Sequence, residues 1–166
     1  MLLMITLLAG CGADNMSTED KIETIFNGAY TAECIAKVKS NKTENEYEYL
    51  CKRLDDGTYI VDYGDIVLTV GKDSSILSGN AGDIIAGTTD NELALIPTYF
   101  FDAYLKGGKI VSDNGGYVLM CDISGDTPYR ATAVMELDEK LVPQKMCIED
   151  TDGDDIIKID IKKFSR

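Results

Sequence analysis

The sequence predicts an α+β fold that is mainly β: two antiparallel meanders forming a strongly curved sheet, or incomplete β-barrel, wrapped around helical segments. Three observations predict it. Apolar and polar residues alternate with a period of two through at least eight segments. The turns between those segments keep the apolar sets on one shared face. Two further stretches carry their apolar residues at helical spacing.

The chain opens with ten uncharged residues, MLLMITLLAG. They are too few to cross a bilayer as a helix, which needs roughly twenty apolar residues. They fit the apolar region of a secretory signal with small residues before the cut. Leu8-Ala9-Gly10-Cys11 resembles the lipobox of bacterial lipoproteins, although no Lys or Arg precedes the apolar run. The resemblance implies that the signal is cut before Cys11 and that the Cys11 sulfur carries a diacylglycerol. The domains then divide as residues 1–10, signal peptide; 11–16, lipidated tether; and 17–166, the folded domain.

Ser17 can cap a helix over STEDKIETIFNG, with Glu19 and Asp20 in its first turn. Ile22, Ile25 and Phe26 share one face, and Gly28 ends the segment. From Tyr30 the period becomes two. Tyr30, Ala32, Cys34, Ala36 and Val38 face one way; Thr31, Glu33, Lys37 and Lys39 face the other. A turn centred on Lys42-Thr43 brings Tyr47, Tyr49 and Cys51 to the same apolar face. That register sets Cys34 directly opposite Cys51.

Asp55-Asp56-Gly57 suits a three-residue hairpin with Gly57 left-handed. It pairs Cys51 with Val61 and Tyr49 with Tyr63. A two-residue turn would carry Ile60 and Asp62 to the core face instead. Gly64-Asp65 turns again, pairing Tyr63 with Ile66 and Val61 with Leu68, and a fifth strand follows near Ser74–Ser78.

TTDNELALIPTYFFDAYLKGG is the second helical stretch. Asp90 or Thr89 can cap it, and Leu93, Ile96, Phe100 and Ala103 keep its spacing. Pro97 would cost about 3 kcal/mol inside a straight helix, so a break or kink is expected there. The aromatic cluster Tyr99, Phe100, Phe101 and Tyr104 reads as core.

The second meander follows. Tyr117, Leu119, Cys121 and Ile123 face Ala131, Ala133, Met135 and Leu137 across a GDTP turn. Val142, Met146 and Ile148 join them after DEKL, and Ile157, Ile159 and Ile161 after TDGD.

This order of elements resembles the LolA/LolB-type lipoprotein-localisation fold. The ending VMELDEKLVPQKMCIEDTDGDDIIKIDIKKF carries most of the likeness: strand, acidic turn, Leu and Pro, strand, then I-x-I-x-x-F. Within that group, the tether and AECIAKVKSNKTENEYEY look like the spore-germination lipoproteins of Firmicutes, of the GerS type. The resemblance implies one of two roles. Germination-type members are anchored scaffolds that bind a cell-wall amidase; carrier-type members hold acyl chains in the hollow of a half-barrel. Tyr30, Tyr47, Tyr49, Tyr63, Leu68, Phe100, Tyr104, Leu119 and Met135 would line such an apolar hollow. A lipid on Cys11 fixes the chain at the extracytoplasmic face of one membrane, which favours the scaffold reading over a shuttle. The alternative is a fixed lipid- or lipoprotein-binding receptor.

Other classes fit less well. The net charge of −13 repels phosphate backbones and anionic headgroups, so no nucleic-acid partner is expected and membrane attachment falls to the lipid. The chain has no histidine, which excludes Ser-His-Asp, Cys-His and His-bearing zinc arrangements. No enzymatic activity, catalytic residue, metal or cofactor is expected. Glu149–Asp155 (EDTDGDD) looks like a calcium loop, but counting from Asp150 as the first position, Gly153 is the fourth and Ile161 the twelfth. It reads as a hairpin turn. Four cysteines remain after Cys11. Cys34 and Cys51 could form one disulfide or stay as reduced buried thiols. Cys121 shares the apolar face while Cys147 points away from it, so no bridge joins those two.

Overall fold

The computed structural model describes residues 16–40, 43–72, 74–80, 82–86, 95–123, 131–149 and 155–166. Helix α1 (Thr18–Asn27) starts where the sequence places it. The Asp20 N–H donates to Ser17 Oγ at 3.1 Å, and the Ser17 N–H donates to Asp20 Oδ2 at 3.2 Å. This reciprocal cap is worth about 1 kcal/mol. Gly28 ends the helix in an extended conformation (φ −77°), not a left-handed one. A Cβ there would stand 3.2 Å from the Thr24 carbonyl oxygen, so close approach is what its missing side chain permits. Ile22, Ile25 and Phe26 form the buried face.

Eleven strands follow: β1 (Tyr30–Ser40), β2 (Thr43–Arg53), β3 (Tyr59–Asp62), β4 (Ile66–Val70), β5 (Ser75–Gly79), β6 (Gly82–Ala86), β7 (Lys109–Asp113), β8 (Gly116–Ile123), β9 (Ala131–Leu137), β10 (Pro143–Glu149) and β11 (Asp155–Ser165). They form one open antiparallel sheet in the order β6-β5-β4-β3-β2-β1-β11-β10-β9-β8-β7. The N-terminal and C-terminal runs of strands join where β1 pairs with β11. Strands β6 and β7 are not anticipated from the alternation.

Most registers match the pattern. Gly57 and Gly64 are left-handed, Cys51 pairs with Val61, and Val61 pairs with Leu68. Leu119 pairs with Met135, and Cys121 with Ala133. Met146 pairs with Ile159, and Ile148 with Ile157. Two registers differ. Ser40 pairs with Thr43, so the first turn falls one residue earlier than expected and the ladder shifts by two. Cys34 therefore faces Tyr49, and Cys51 faces Ala32. A shift of two preserves every residue's face, which is why both apolar sets stay inside. In β10, an irregularity between Pro143 and Lys145 aligns Pro143 with Leu137. Pro143 is thus buried where Val142 was expected, and Val142 is half-buried.

Helix α2 (Pro97–Tyr104) begins at Pro97, the position where a proline's missing N–H costs nothing. The break expected there is the start of a helix; Thr89, Asp90 and Leu93 lie outside the described residues. Helices α1 and α2 pack on one face of the sheet. The Tyr49 hydroxyl on β2 donates to the Leu95 carbonyl at 2.9 Å, and Cys121 on β8 approaches the Phe100 carbonyl at 3.8 Å. In a flat sheet β2 and β8 would stand about 24 Å apart, five strand spacings of about 4.8 Å. Their contacts fall on points only five residues apart, so the sheet curves around α2.

Candidate functional site

The hollow enclosed by that curvature is the first place to seek a ligand. Seven of the nine residues expected to line it are buried: Tyr30, Tyr49, Leu68, Phe100, Tyr104, Leu119 and Met135. Tyr63 is half-buried. Tyr47 is the exception at 43% exposure, because β1 and β2 run on toward their hairpin past the helices. Phe100, Leu119 and Met135 have no accessible surface at all, and neither do Phe26 and Phe101. No space large enough for a water molecule therefore borders these five side chains.

What fills the space is aromatic. The Phe26 and Phe101 rings stack at 5.0 Å, Phe101 and Tyr104 at 5.6 Å, and Tyr30 and Phe164 at 5.0 Å. The Tyr30 and Thr98 hydroxyls inside are paired. The Tyr30 phenol oxygen lies 3.0 Å from Thr98 Oγ1, and the Thr98 hydroxyl donates to the Phe26 carbonyl at 3.3 Å. Burial pushes the Tyr30 and Tyr49 phenols well above their usual range, so both stay neutral donors. Arg53 closes the rim. Its guanidinium donates to the carbonyls of Asn27 and Gly28 and lies 5.9 Å over the Tyr59 ring. It supplies the cation that the last turn of α1 lacks.

The thiols are chemically quiet. Burial raises Cys34 and Cys121 to about 11 and Cys51 to about 12. Thiolate, the reactive form, is therefore scarce at neutral pH. The direct opposition expected for Cys34 and Cys51 is not found, and none of the four described cysteines is in a disulfide. Cys147 lies half-buried opposite Val134 and Lys158, on the face away from Cys121, as its parity requires. Among the described residues no group of three or more acidic, Cys or His side chains could hold a metal ion. No described helix is long and apolar enough to cross a membrane. Cys11 and residues 150–154 of the acidic stretch lie outside the described residues.

The outer face carries the charge. Lys37 pairs with Glu46 at 3.4 Å and Lys163 with Glu33 at 3.3 Å, both exposed. A shallow depression of ≈ 470 Å³ between β9, β10 and β11 is lined by Lys37, Lys145 and Lys158 together with Glu136, Glu149 and Asp160. Its two signs balance, and it offers no convergent group of one kind.

No family model and no curated protein matches the chain. Solved structures do. An uncharacterized conserved protein from Thermus thermophilus shares the fold with a TM-score of 0.56 at 10% identity, over 89% of this chain and 83% of that one. A LolA superfamily protein from Nitrosomonas europaea is similar at 8% identity and a TM-score of 0.45, over 90% and 94%. A chain of the complex between the CwlD amidase and the GerS lipoprotein of Clostridioides difficile is similar at 20% identity and a TM-score of 0.40, over 93% and 99%. At such identities the likeness is one of fold.

Proposed function

We propose that the chain is an extracytoplasmic lipoprotein, anchored through Cys11, that acts as a non-catalytic binding module or scaffold for a cell-envelope protein. The observation that carries this reading is the filled interior. Phe26, Phe100, Phe101, Leu119 and Met135 leave no accessible surface, so recognition falls to the outside of the molecule. The sequence resemblance to germination-type lipoproteins supports a cell-wall amidase as the partner class and a role in sporulation or germination. On this reading residues 1–10 are removed, 11–16 are the tether, and 17–166 form a half-barrel whose two meanders close around the helices.

Two acyl chains give a stable anchor where one gives a marginal one. Cys11→Ser should therefore release the protein from membranes of a bacterial host. Retention of the variant on membranes, with residues 1–10 still present by intact mass, refutes the anchor. Affinity purification of the wild type from the source envelope should recover an amidase in stoichiometric amount.

A lipid-binding receptor is the second reading. Tyr47 and Ile66, exposed at 43% and 46% on the helix-covered side of the sheet, favour it. Native mass spectrometry decides between the two: a stoichiometric co-purified phospholipid or acyl chain supports the receptor.

A further inference from the structure

Three observations converge on the end of the sheet at β6. First, β6 is terminal in the strand order, so the outward N–H and C=O groups of Gly82–Ala86 have no ladder partner among the described residues. The opposite edge, β7, has Lys109 and Asp113 at its two ends, charges of the kind that blunt an edge. Strand β6, GDIIA, has neither Lys nor Pro and carries a single charge, Asp83.

Second, the sheet surface beside this edge is hollowed. Ile66 pairs with Gly79, and Gly79 with Gly82, so two glycines stand side by side in one cross-strand row. They leave a groove of ≈ 380 Å³, formed chiefly by Ile66, Leu77, Gly79 and Gly82. Third, large apolar side chains are exposed on both faces of the sheet beside this edge, Ile66 in the groove and Ile76 on the opposite face, outside it. Ile66 is 46% exposed on the helix-covered side and Ile76 is 37% exposed on the other.

We infer that β6 is a strand-addition site, taking an extended segment of a partner protein that places one large apolar side chain in the Gly79–Gly82 groove and basic residues beside it. The inference rests on the binding-module reading and names the chemistry of the partner. A bare edge supplies main-chain hydrogen bonds to an added strand, and a pocket for alternate side chains supplies specificity. The basic flank follows from Asp65 at the groove, Asp83 in β6, and the net charge of −13. That charge also opposes a second copy as the occupant, since like chains repel.

The test uses the full chain and a fluorescein-labelled ten-residue peptide alternating lysine and leucine, followed by fluorescence anisotropy. The matched peptide alternating glutamate and leucine is the control. The lysine peptide should bind saturably and the glutamate peptide should not. Gly79→Val should weaken binding about tenfold or more. That variant should still fold, because a Cβ at Gly79 meets only Asp65 O at 3.5 Å and Ile66 Cγ1 at 3.9 Å. Ile66→Lys, a substitution at an exposed position, should repel the lysine peptide as well. Four results would overturn the inference: no saturation up to about 1 mM peptide, equal binding of the acidic peptide, affinity unchanged by Gly79→Val, or a dimer in sedimentation that Gly79→Val dissolves. The assay needs neither the Cys11 lipid nor the native partner, so its failure is distinct from failure of the anchored-scaffold reading.

Discussion

Thr98→Val probes how the helices are fixed to the sheet. Thr98 is 2% exposed, and its hydroxyl donates to the Phe26 carbonyl at 3.3 Å. With that proton committed, the Tyr30 O–H donates to Thr98 Oγ1 at 3.0 Å. Valine keeps the shape and removes both bonds. Tyr30, 3% exposed, is left with only the Cys51 thiol, a weak acceptor, beside its buried donor. An orphaned buried polar group costs about 1–3 kcal/mol, so the variant should lose about 2 kcal/mol. For a domain of this size that lowers Tm by roughly 4–8 °C. Tyr30→Phe leaves Thr98 bonded to Phe26 and should cost only about 1 kcal/mol. The double variant has no orphaned phenol, so it should lose about 2 kcal/mol rather than the sum of about 3, a coupling of about 1 kcal/mol. Urea unfolding followed by circular dichroism, at constant m, measures all three. A Thr98→Val cost below about 0.5 kcal/mol, or strict additivity in the cycle, would refute the buried bridge.

Three further outcomes follow from the same structure. Cys34, Cys51 and Cys121 have folded pKa values of about 11 to 12 against a reference of 9.0, so the folded state holds these protons more tightly. Stability should be level below about pH 9 and fall as pH rises toward 11–12, by about 1.4 kcal/mol per pH unit for each thiol in its window; Cys34→Ala/Cys51→Ala should flatten the decline in urea midpoint between pH 9 and 11. Gly108→Ala should lose more than about 3 kcal/mol, because its Cβ would strike the Tyr104 ring and stand 2.8 Å from the carbonyl oxygens of Met120 and Tyr104. Gly115→Ala meets no neighbour and bears only the strain of φ +88°, about 1 kcal/mol; equal thermal shifts for the two variants would contradict this ordering. Asp138→Ala should cost about 1–2 kcal/mol, since Asp138 Oδ1 accepts the Lys140 and Val142 N–H groups at 2.8 and 2.9 Å and holds the turn in which Leu141 is left-handed at φ 64°, as chemical denaturation would report.

The helix-covered face was legible residue by residue, because alternation is a local signal that survives any even error in register. Ile157, Ile159 and Ile161 needed only their parity to be placed, and all three are buried. The Cys34–Cys51 opposition failed for the same reason: moving the first turn by one residue shifts the ladder by two and leaves every face unchanged. Pairing claims need the turn itself, and SNKTEN offers no Asn-Gly or Asp-Gly to fix it. Strand β7 did have such a signal. Asn114-Gly115, at φ 43° and 88°, is a two-residue hairpin turn between Asp113 and Gly116, and it marks KIVSD as a strand despite its length.

Strand β6 was harder to read, and the reason bears on function. Core-facing strands announce themselves by alternation because one side is wet and the other dry. In DIIA the two isoleucines are adjacent, which breaks a period of two. Gly79 and Gly82 give no apolar signal either; their contribution is the space they leave. A recognition surface made of unpaired backbone and missing side chains is nearly silent in a hydropathy pattern. In this chain the interior is already occupied by Phe26, Phe100 and Phe101, so a segment with weak periodicity is also one whose outer backbone groups have no ladder partner among the described residues.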